Sequence, residues 1–367
     1  MRKAFQAGAA LAAVALLAAG CAKPSTSSTS TTTKSKFLGC MVTDTGGIND
    51  KSFNQSSWEG MQAAAAADSN IQVKYLPSTS TSDYAKNITA FEGQKCGIIV
   101  TVGFAMGPAT QSAALADSKQ KFAIVDCSYA SFCLSTKAHP PIAHNIDQLV
   151  YNTVQDAFLG GYLAAGMTKT GKVATYGGEK FGTVTIYEDG FWDGVQYYNK
   201  QHHTHVQVLG WSEPSQNGTF AGSFTNVSAG QTIANTFITD GADIIFPVAG
   251  GVGLGTAKAV QTADSSGKNI SMFWVDTDGC ISAATYCKYF VTSVEKGITT
   301  SVKDAVLNAA KGHSGGSYIG TLANGGAVLA PFHDWASKVP ASLQSELNTV
   351  KQQIINGTIK PATKSPV

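Results

Sequence analysis

Charge is scarce in this chain of 367 residues: Asp, Glu, Lys and Arg make up 14%, and 26 basic against 24 acidic residues leave a formal net charge of +2. The lysines and arginines are scattered, so there is neither the basic footprint that holds nucleic acid nor an acidic tail. No cysteine pair has CxxC spacing, and the histidines of "KQHHTHVQ", His202, His203 and His205, have no cysteine nearby. That spacing argues against zinc or any other metal centre, and the histidines read as solvated. There is no GxSxG elbow, no catalytic-cysteine signature and no dense aspartate cluster, so the common hydrolytic machineries are missing. What is present is 43% hydrophobic, enough for real cores in a chain long enough for two domains.

The N-terminus carries Arg2 and Lys3, an apolar run from Ala7 through Ala19, then Gly20 and Cys21. The run is shorter than the ~20 residues a bilayer span needs, so residues 1–20 read as a signal peptide. "LAAGC" resembles a bacterial lipobox, in which the cysteine is lipidated, although Ala18 stands where leucine is commoner. The Ser/Thr-rich "KPSTSSTSTTTKSK" that follows cannot bury apolar surface, so residues 21–36 read as a flexible tether holding a folded body outside the membrane. Of seven cysteines, six remain after Cys21, an even number that fits structural disulfides in an exported chain. Local spacing favours Cys127 with Cys133 and Cys280 with Cys287, leaving Cys40 with Cys96.

Short β-rich apolar runs, "FLGCMVT", "GIIVTVG", "FAIVDCS", "KVATYGG", "HVQVLGW", "ADIIFPVAG" and "SMFWVDTD", recur along the body. Helical patterns lie between them: Trp58, Met61 and Ala65 share one face, as do Val154, Phe158, Tyr162 and Ala165. Such alternation predicts an α/β fold of parallel sheets covered by helices. It runs twice, from about Phe37 to Ser128 and from about Gly171 to Asp276, which fits two doubly wound domains, with "KAHPPIAHNIDQ" as a segment crossing between them. Ligands of open parallel sheets bind beyond the carboxyl ends of the strands, so those ends hold the candidate residues.

After the first run come Asp44, Gly46 and Gly47, then Asp50 as a helix N-cap, with Phe53 too early in the helix to be buried beside Trp58. A ring at a strand mouth flanked by acids suits a flat polar ligand, though local packing of Phe53 is an equal alternative. Asp126 ends another buried run, where a carboxylate needs donors from a ligand or a helix. "YEDGFWDG" brings Asp189, Phe191 and Trp192 together. "VAGGVGLGT" has GxGxG spacing rather than GxGxxG, so its glycines serve close backbone approach to a ligand instead of dinucleotide binding. Asp276 and Lys296 either grip sugar hydroxyls between them or form a structural salt bridge.

Together, "DTGGINDKSFNQSSWEG", "GGYLAAGMTKTGKVATYGG", "DGFWDG", "GADIIFPVAGGVGLG", "WVDTDG" and "TSVEKG" resemble the basic membrane protein family of substrate-binding lipoproteins, which contains purine nucleoside receptors. The resemblance implies a type I periplasmic-binding-protein fold, two Rossmann-like lobes joined by crossing segments with a ligand cleft between them. It further implies a lobe of residues 37–145 plus 278–316 and another of 146–277 plus 317–367. By the same resemblance Phe53 and Phe191 sandwich a base, Asp44 and Asp126 face it, Asn54 also binds the ligand, and Asp276, Lys296 and the amide of Gly250 hold the ribose. The implied protein is a monomer without cofactor or enzymatic activity, anchored by lipid at Cys21 and delivering nucleosides to the permease of an ABC importer. A nucleoside hydrolase and a sugar or peptide binder on the same scaffold are the competing expectations.

Overall fold

The computed structural model describes residues 36–130, 133 and 142–365. The signal peptide, Cys21, nearly all of the tether and part of the expected crossing segment therefore lie outside the described residues. Strands β1 (Phe37–Val42), β2 (Ile71–Leu76), β3 (Ile98–Val102), β4 (Phe122–Val125) and β5 (Ile146–Tyr151) alternate with helices α1 (Phe53–Ala67), α2 (Tyr84–Gly93) and α3 (Gly107–Ala116). Helix α4 (Val154–Met167) leads to β6 (Lys172–Gly177), α5 (Gly182–His202), β7 (Gln207–Leu209) and a small hairpin of β8 (Trp211–Ser212) and β9 (Asn217–Gly218). Then come α6 (Val227–Thr239), β10 (Ile244–Val248), α7 (Gly253–Ser265), β11 (Ser271–Asp276), α8 (Gly279–Ser282) and β12 (Phe290–Lys296). Helix α9 (Ile298–Ala310), β13 (Ser317–Gly320), β14 (Ala327–Leu329) and α10 (Ala341–Ile355) close the chain.

The strands form two six-stranded sheets, ordered β13-β5-β4-β3-β1-β2 and β14-β12-β11-β10-β6-β7. All pairs of the first sheet are parallel, and only β14 runs antiparallel in the second. Residues Ile98–Val102 are buried throughout, as continuous apolar runs covered on both faces must be. Met61 and Ala64 of α1 pack with Ile298, Val302 and Val306 of α9 on one face of the first sheet. Tyr84, Ile88 and Phe91 of α2 and Ala114 of α3 cover the other. In the second sheet α4, α5 and α10 cover one face and α6 and α7 the other. Each lobe is thus doubly wound, as the alternation predicts.

Three boundaries differ from expectation. Strand β5 belongs to the first sheet, so the chain leaves that lobe after Tyr151 and not at 145. Strand β12 lies in the second sheet beside β11, which moves the return from 277 to Gly297. Strand β13 pairs with β5, so the last crossing follows Gly320. None of these strands is a clean apolar run: "IDQLVY" and "FVTSVEK" are broken by polar residues, and "SYIG" is largely exposed at a sheet edge.

The cysteines pair as spacing suggests, Cys40 with Cys96, Cys127 with Cys133 and Cys280 with Cys287. The "YEDGFWDG" stretch is not a strand mouth but the middle of α5. Its glycines serve packing against α4: a Cβ on Gly190 would lie 2.5 Å from the Val154 carbonyl and one on Gly194 2.0 Å from the Phe158 carbonyl, while on the α4 side one on Gly161 would lie 1.9 Å from the Phe191 carbonyl. Phe191 is fully buried against Phe246 and Phe273 in the core of the second lobe. His202 is not simply solvated either. It stacks on Tyr198 at 4.1 Å and bonds to Glu346 at 2.9 Å.

Candidate functional site

The strand ends of both sheets converge on one cavity, as the geometry of open parallel sheets requires. On the first lobe the lining comes from the turn after β1, with Asp44, Asp50, Phe53 and Asn54, and from Gly103, Phe104 and Asp126 at the ends of β3 and β4. Asp50 holds the start of α1: its carboxylate accepts the backbone N–H groups of Ser52, Asn54 and Gln55 at 3.0, 2.8 and 3.0 Å. That is the capping role its position suggests, displaced two residues upstream of the helix boundary. Asp44 accepts from the Gly46 amide at 3.0 Å and from the Asn54 side-chain amide at 2.7 Å. The Asn54 Oδ1 atom, buried at the cavity wall, has no partner among the described residues. Gly103 turns at φ +112°, and a Cβ there would sit 2.9 Å from Asp44 Oδ2, so only glycine leaves that carboxylate its place.

The second lobe contributes Glu179, Phe181, Val184 and Tyr187 after β6, Phe224 just before α6, Gly250 and Gly251 after β10, Asp276 at the end of β11 and Lys296 at the end of β12. Lys296 is the centre of the polar floor. Its Nζ donates to Asp126 Oδ2 of the opposite lobe and lies 3.6 Å from Asp276 Oδ1. It also stands 5.1 Å from the ring centres of both Phe53 and Tyr187, within cation–π range. The Tyr187 hydroxyl donates to Asp276 Oδ1 at 3.1 Å. Asp126 and Asp276 have φ of +61° and +69°, left-handed conformations that cost of order 1–3 kcal/mol each in a non-glycine residue and aim the carboxylates off the strand ends.

Five carboxylates, Asp44, Asp50, Asp126, Glu179 and Asp276, line this cavity with one ammonium, Lys296. Burial pushes Asp126 up to about 6 against the pull of Lys296, pushes Asp50 up to about 6, and raises Asp44 as well. Burial alone would lower the Lys296 pKa, but the fields of Asp126 and Asp276 hold it above the ordinary lysine value. The floor is therefore a charged, acceptor-rich surface at neutral pH. Aromatic groups supply the apolar part: Phe53 on the first lobe, and a row across the cleft in which Phe104 lies 5.3 Å from Phe181 and Phe181 lies 6.2 Å from Phe224.

A family model described as "ABC transporter substrate-binding protein PnrA-like" matches residues 37–364. The chain belongs to this Bmp family. Among its relatives, "ABC transporter nucleoside-binding protein BmpA" of Lactococcus lactis subsp. cremoris is 30% identical, over 97% of both chains. "Basic membrane protein A" of Borreliella afzelii is 27% identical over 85% of this chain and 87% of its own. A solute-binding protein of an ABC transporter system from Aeropyrum pernix K1 superposes with a TM-score of 0.77 at 22% identity, covering 88% of this chain and 92% of that one. A solute-binding protein from Bacillus halodurans C-125 with bound myo-inositol gives 0.57 at 12% identity, covering 84% and 100%. These likenesses give the fold, that of ABC solute-binding proteins of the type I periplasmic-binding class. Bmp proteins are substrate-binding components of ABC transport and not enzymes.

Seven of the eight residues expected in the Bmp site, Asp44, Phe53, Asn54, Asp126, Gly250, Asp276 and Lys296, line the cavity. Phe191 does not, because it points into the lobe core. The aromatic groups that the second lobe does present are Phe181 and Phe224. Phe181 was within reach of the strand-end rule, since it follows "KVATYGG" by three residues. Phe224 stands in the polar stretch "AGSFTNVS", where spacing carries no signal. No helix of the described residues is long and apolar enough to cross a membrane.

Proposed function

We propose that this chain captures a nucleoside, with purines favoured, and hands it to the permease of an ABC importer while lipid on Cys21 anchors it to the outer face of the cell membrane. The observation that carries the reading is the meeting of Asp126, Asp276 and Lys296 beside the Phe53 ring. One cavity thereby offers a stacking face for a base and charged partners for sugar hydroxyls and ring N–H groups. Phe53 stacks on the base, with Phe181 and Phe224 of the second lobe in the role expected of Phe191. Asp44, Asn54 and Asp126 accept hydrogen bonds from the base edge, while Asp276, Lys296 and the Gly250 amide hold the ribose. Stacking contributes on the order of 1–3 kcal/mol per base, and the buried acceptors discriminate because an analogue leaves them unpaired.

The cavity disfavours nucleotides. It contains no arginine, and its one lysine is already shared between two carboxylates, so a phosphate would meet net negative charge. A relative named as nucleoside-binding supports the same ligand class. The test is isothermal titration of protein unfolded and refolded to strip bound ligand, against adenosine, guanosine, inosine, cytidine, uridine and ribose. Micromolar or tighter binding of nucleosides with none of ribose is the expected result, with purines tighter than pyrimidines. Silence toward every nucleoside overturns the reading in favour of a sugar or peptide ligand, and nucleoside consumed during incubation overturns it in favour of a hydrolase.

A further inference from the structure

Two successive residues of the first lobe, Lys51 and Ser52, bond directly to the second. The Lys51 carbonyl accepts from the Trp274 indole at 2.9 Å and from the Ser282 hydroxyl at 2.8 Å. Ser52 Oγ lies 3.0 Å from the Val275 carbonyl and 2.9 Å from Asp276 Oδ2. A hydroxyl has one proton to donate, and the carboxylate is the stronger acceptor of the two. Ser52 is fully buried, and Lys51 adopts φ +61°, an unfavourable conformation for lysine that turns its carbonyl toward the second lobe. The loop is made stiff from behind by Asp50, which accepts the Ser52 N–H and caps α1.

Asp276 is thereby held at both oxygens from different lobes: Oδ1 by Tyr187 of its own lobe and Oδ2 by Ser52 of the other. With Ser52 withdrawn, Oδ1 keeps the Tyr187 bond and the Lys296 ammonium of its own lobe, but Oδ2 loses its bond, so the carboxylate is fixed at one oxygen instead of two. We infer that Ser52 is a positioning residue that locks the ligand-gripping carboxylate when the lobes come together, and that Lys51 and Ser52 form an interlobe clasp with Trp274 and Ser282. Closure and completion of the site are then one event. Without ligand the lobes exchange between open and closed arrangements, the clasp bonds being made only in the closed one, and a ligand enters through the open one. The clasp therefore acts on escape rather than on entry, although Ser52 is absent from the cavity wall.

The inference rests on the proposed role of Asp276 toward a nucleoside, and two measurements separate the two. Stopped-flow kinetics with adenosine is expected to give a dissociation rate about tenfold higher for Ser52→Ala, the worth of a hydrogen bond to a charged group, with an association rate close to wild type. Ser282→Ala, which removes one bond to Lys51 and touches neither Asp276 nor the cavity, is expected to raise dissociation by about threefold. A merely structural role would lower the melting temperature without splitting the two rates. Unchanged dissociation in both variants overturns the clasp. If the wild type binds no nucleoside, the function reading fails, and small-angle scattering of the ligand-free protein tests the clasp alone. The Ser52→Ala/Ser282→Ala double variant should then have the larger radius of gyration, and equal radii overturn the inference.

Discussion

At the residue scale, two carboxyl groups stand out because no described side chain pairs with them at hydrogen-bond distance. Asp156 at the first turn of α4 and Glu188 in α5 are fully buried, and none of their four oxygens has a hydrogen-bond partner among the described residues. Burial raises both well above the ordinary carboxylate range, which favours their protonated forms in the folded chain. Their stabilising contribution is present below the unfolded-state values near 4 and is lost as pH rises from there toward the folded-state values, by up to about 1.4 kcal/mol per pH unit for each group. Asp156→Asn and Glu188→Gln should therefore raise the melting temperature at pH 7.5, with the gain shrinking toward pH 4.5. A gain that is constant with pH would mean that these groups stay ionised. Phe53 allows the matching test of binding: Phe53→Ala should weaken nucleoside affinity by about tenfold or more, the value of one stacked ring. Unchanged titration curves would remove Phe53 from the stack. Acids at strand ends were legible because a buried run that stops at Asp announces an unpaired charge. Phe191 misled because an aromatic residue between two glycines looks like a turn, and local sequence does not reveal that those glycines face a neighbouring helix.

At the element scale, helices make the difference between a legible strand and an illegible environment. The alternation of apolar runs with helical periodicity gave the doubly wound class, because strands covered on both faces must be continuously apolar. Strands β2 and β5 escaped that signal since "IQVKYL" and "IDQLVY" mix polar residues into every second or third position. The α4 and α5 pair depends on a feature that periodicity does not encode, the backbone-to-backbone approach at Gly161 and Gly194. Gly161→Ala places a methyl group 1.9 Å from the Phe191 carbonyl, and the helices must separate to admit it. The cost should reach about 2 kcal/mol or more, like other overpacked cores. Gly93→Ala, in α2 with nothing within 4 Å of its Cβ, should instead be neutral or slightly stabilising. Urea unfolding of the two variants would decide, and equal stabilities would show that the seam relaxes at little cost.

At the scale of the whole molecule, the crossings were the least legible feature, because a strand's sequence does not say which of two similar sheets it joins. Strand β12 follows β11 in the chain and pairs with it, so Lys296 reaches the cleft from the second lobe while bonding to Asp126 of the first. The chain then returns to the first lobe through Gly297, one residue after the lysine that bridges the cleft. Relative movement of the lobes therefore acts directly on that ion pair, as expected of a hinge-closing binding protein. The lobes also meet at Gly251, whose Cβ position lies 3.6 Å from Asp50 of the first lobe and 3.5 Å from the Phe224 carbonyl. Those are ordinary contact distances, so a side chain much larger than a methyl group there meets the opposite lobe. Gly251→Ala should close normally and leave affinity within about threefold of wild type, whereas Gly251→Leu should wedge the lobes apart and weaken ligand by about tenfold or more. Small-angle scattering at saturating nucleoside separates this from loss of a ligand contact. The leucine variant should stay expanded when the wild type contracts, and a leucine variant that contracts equally would show that the lobes do not close on this glycine.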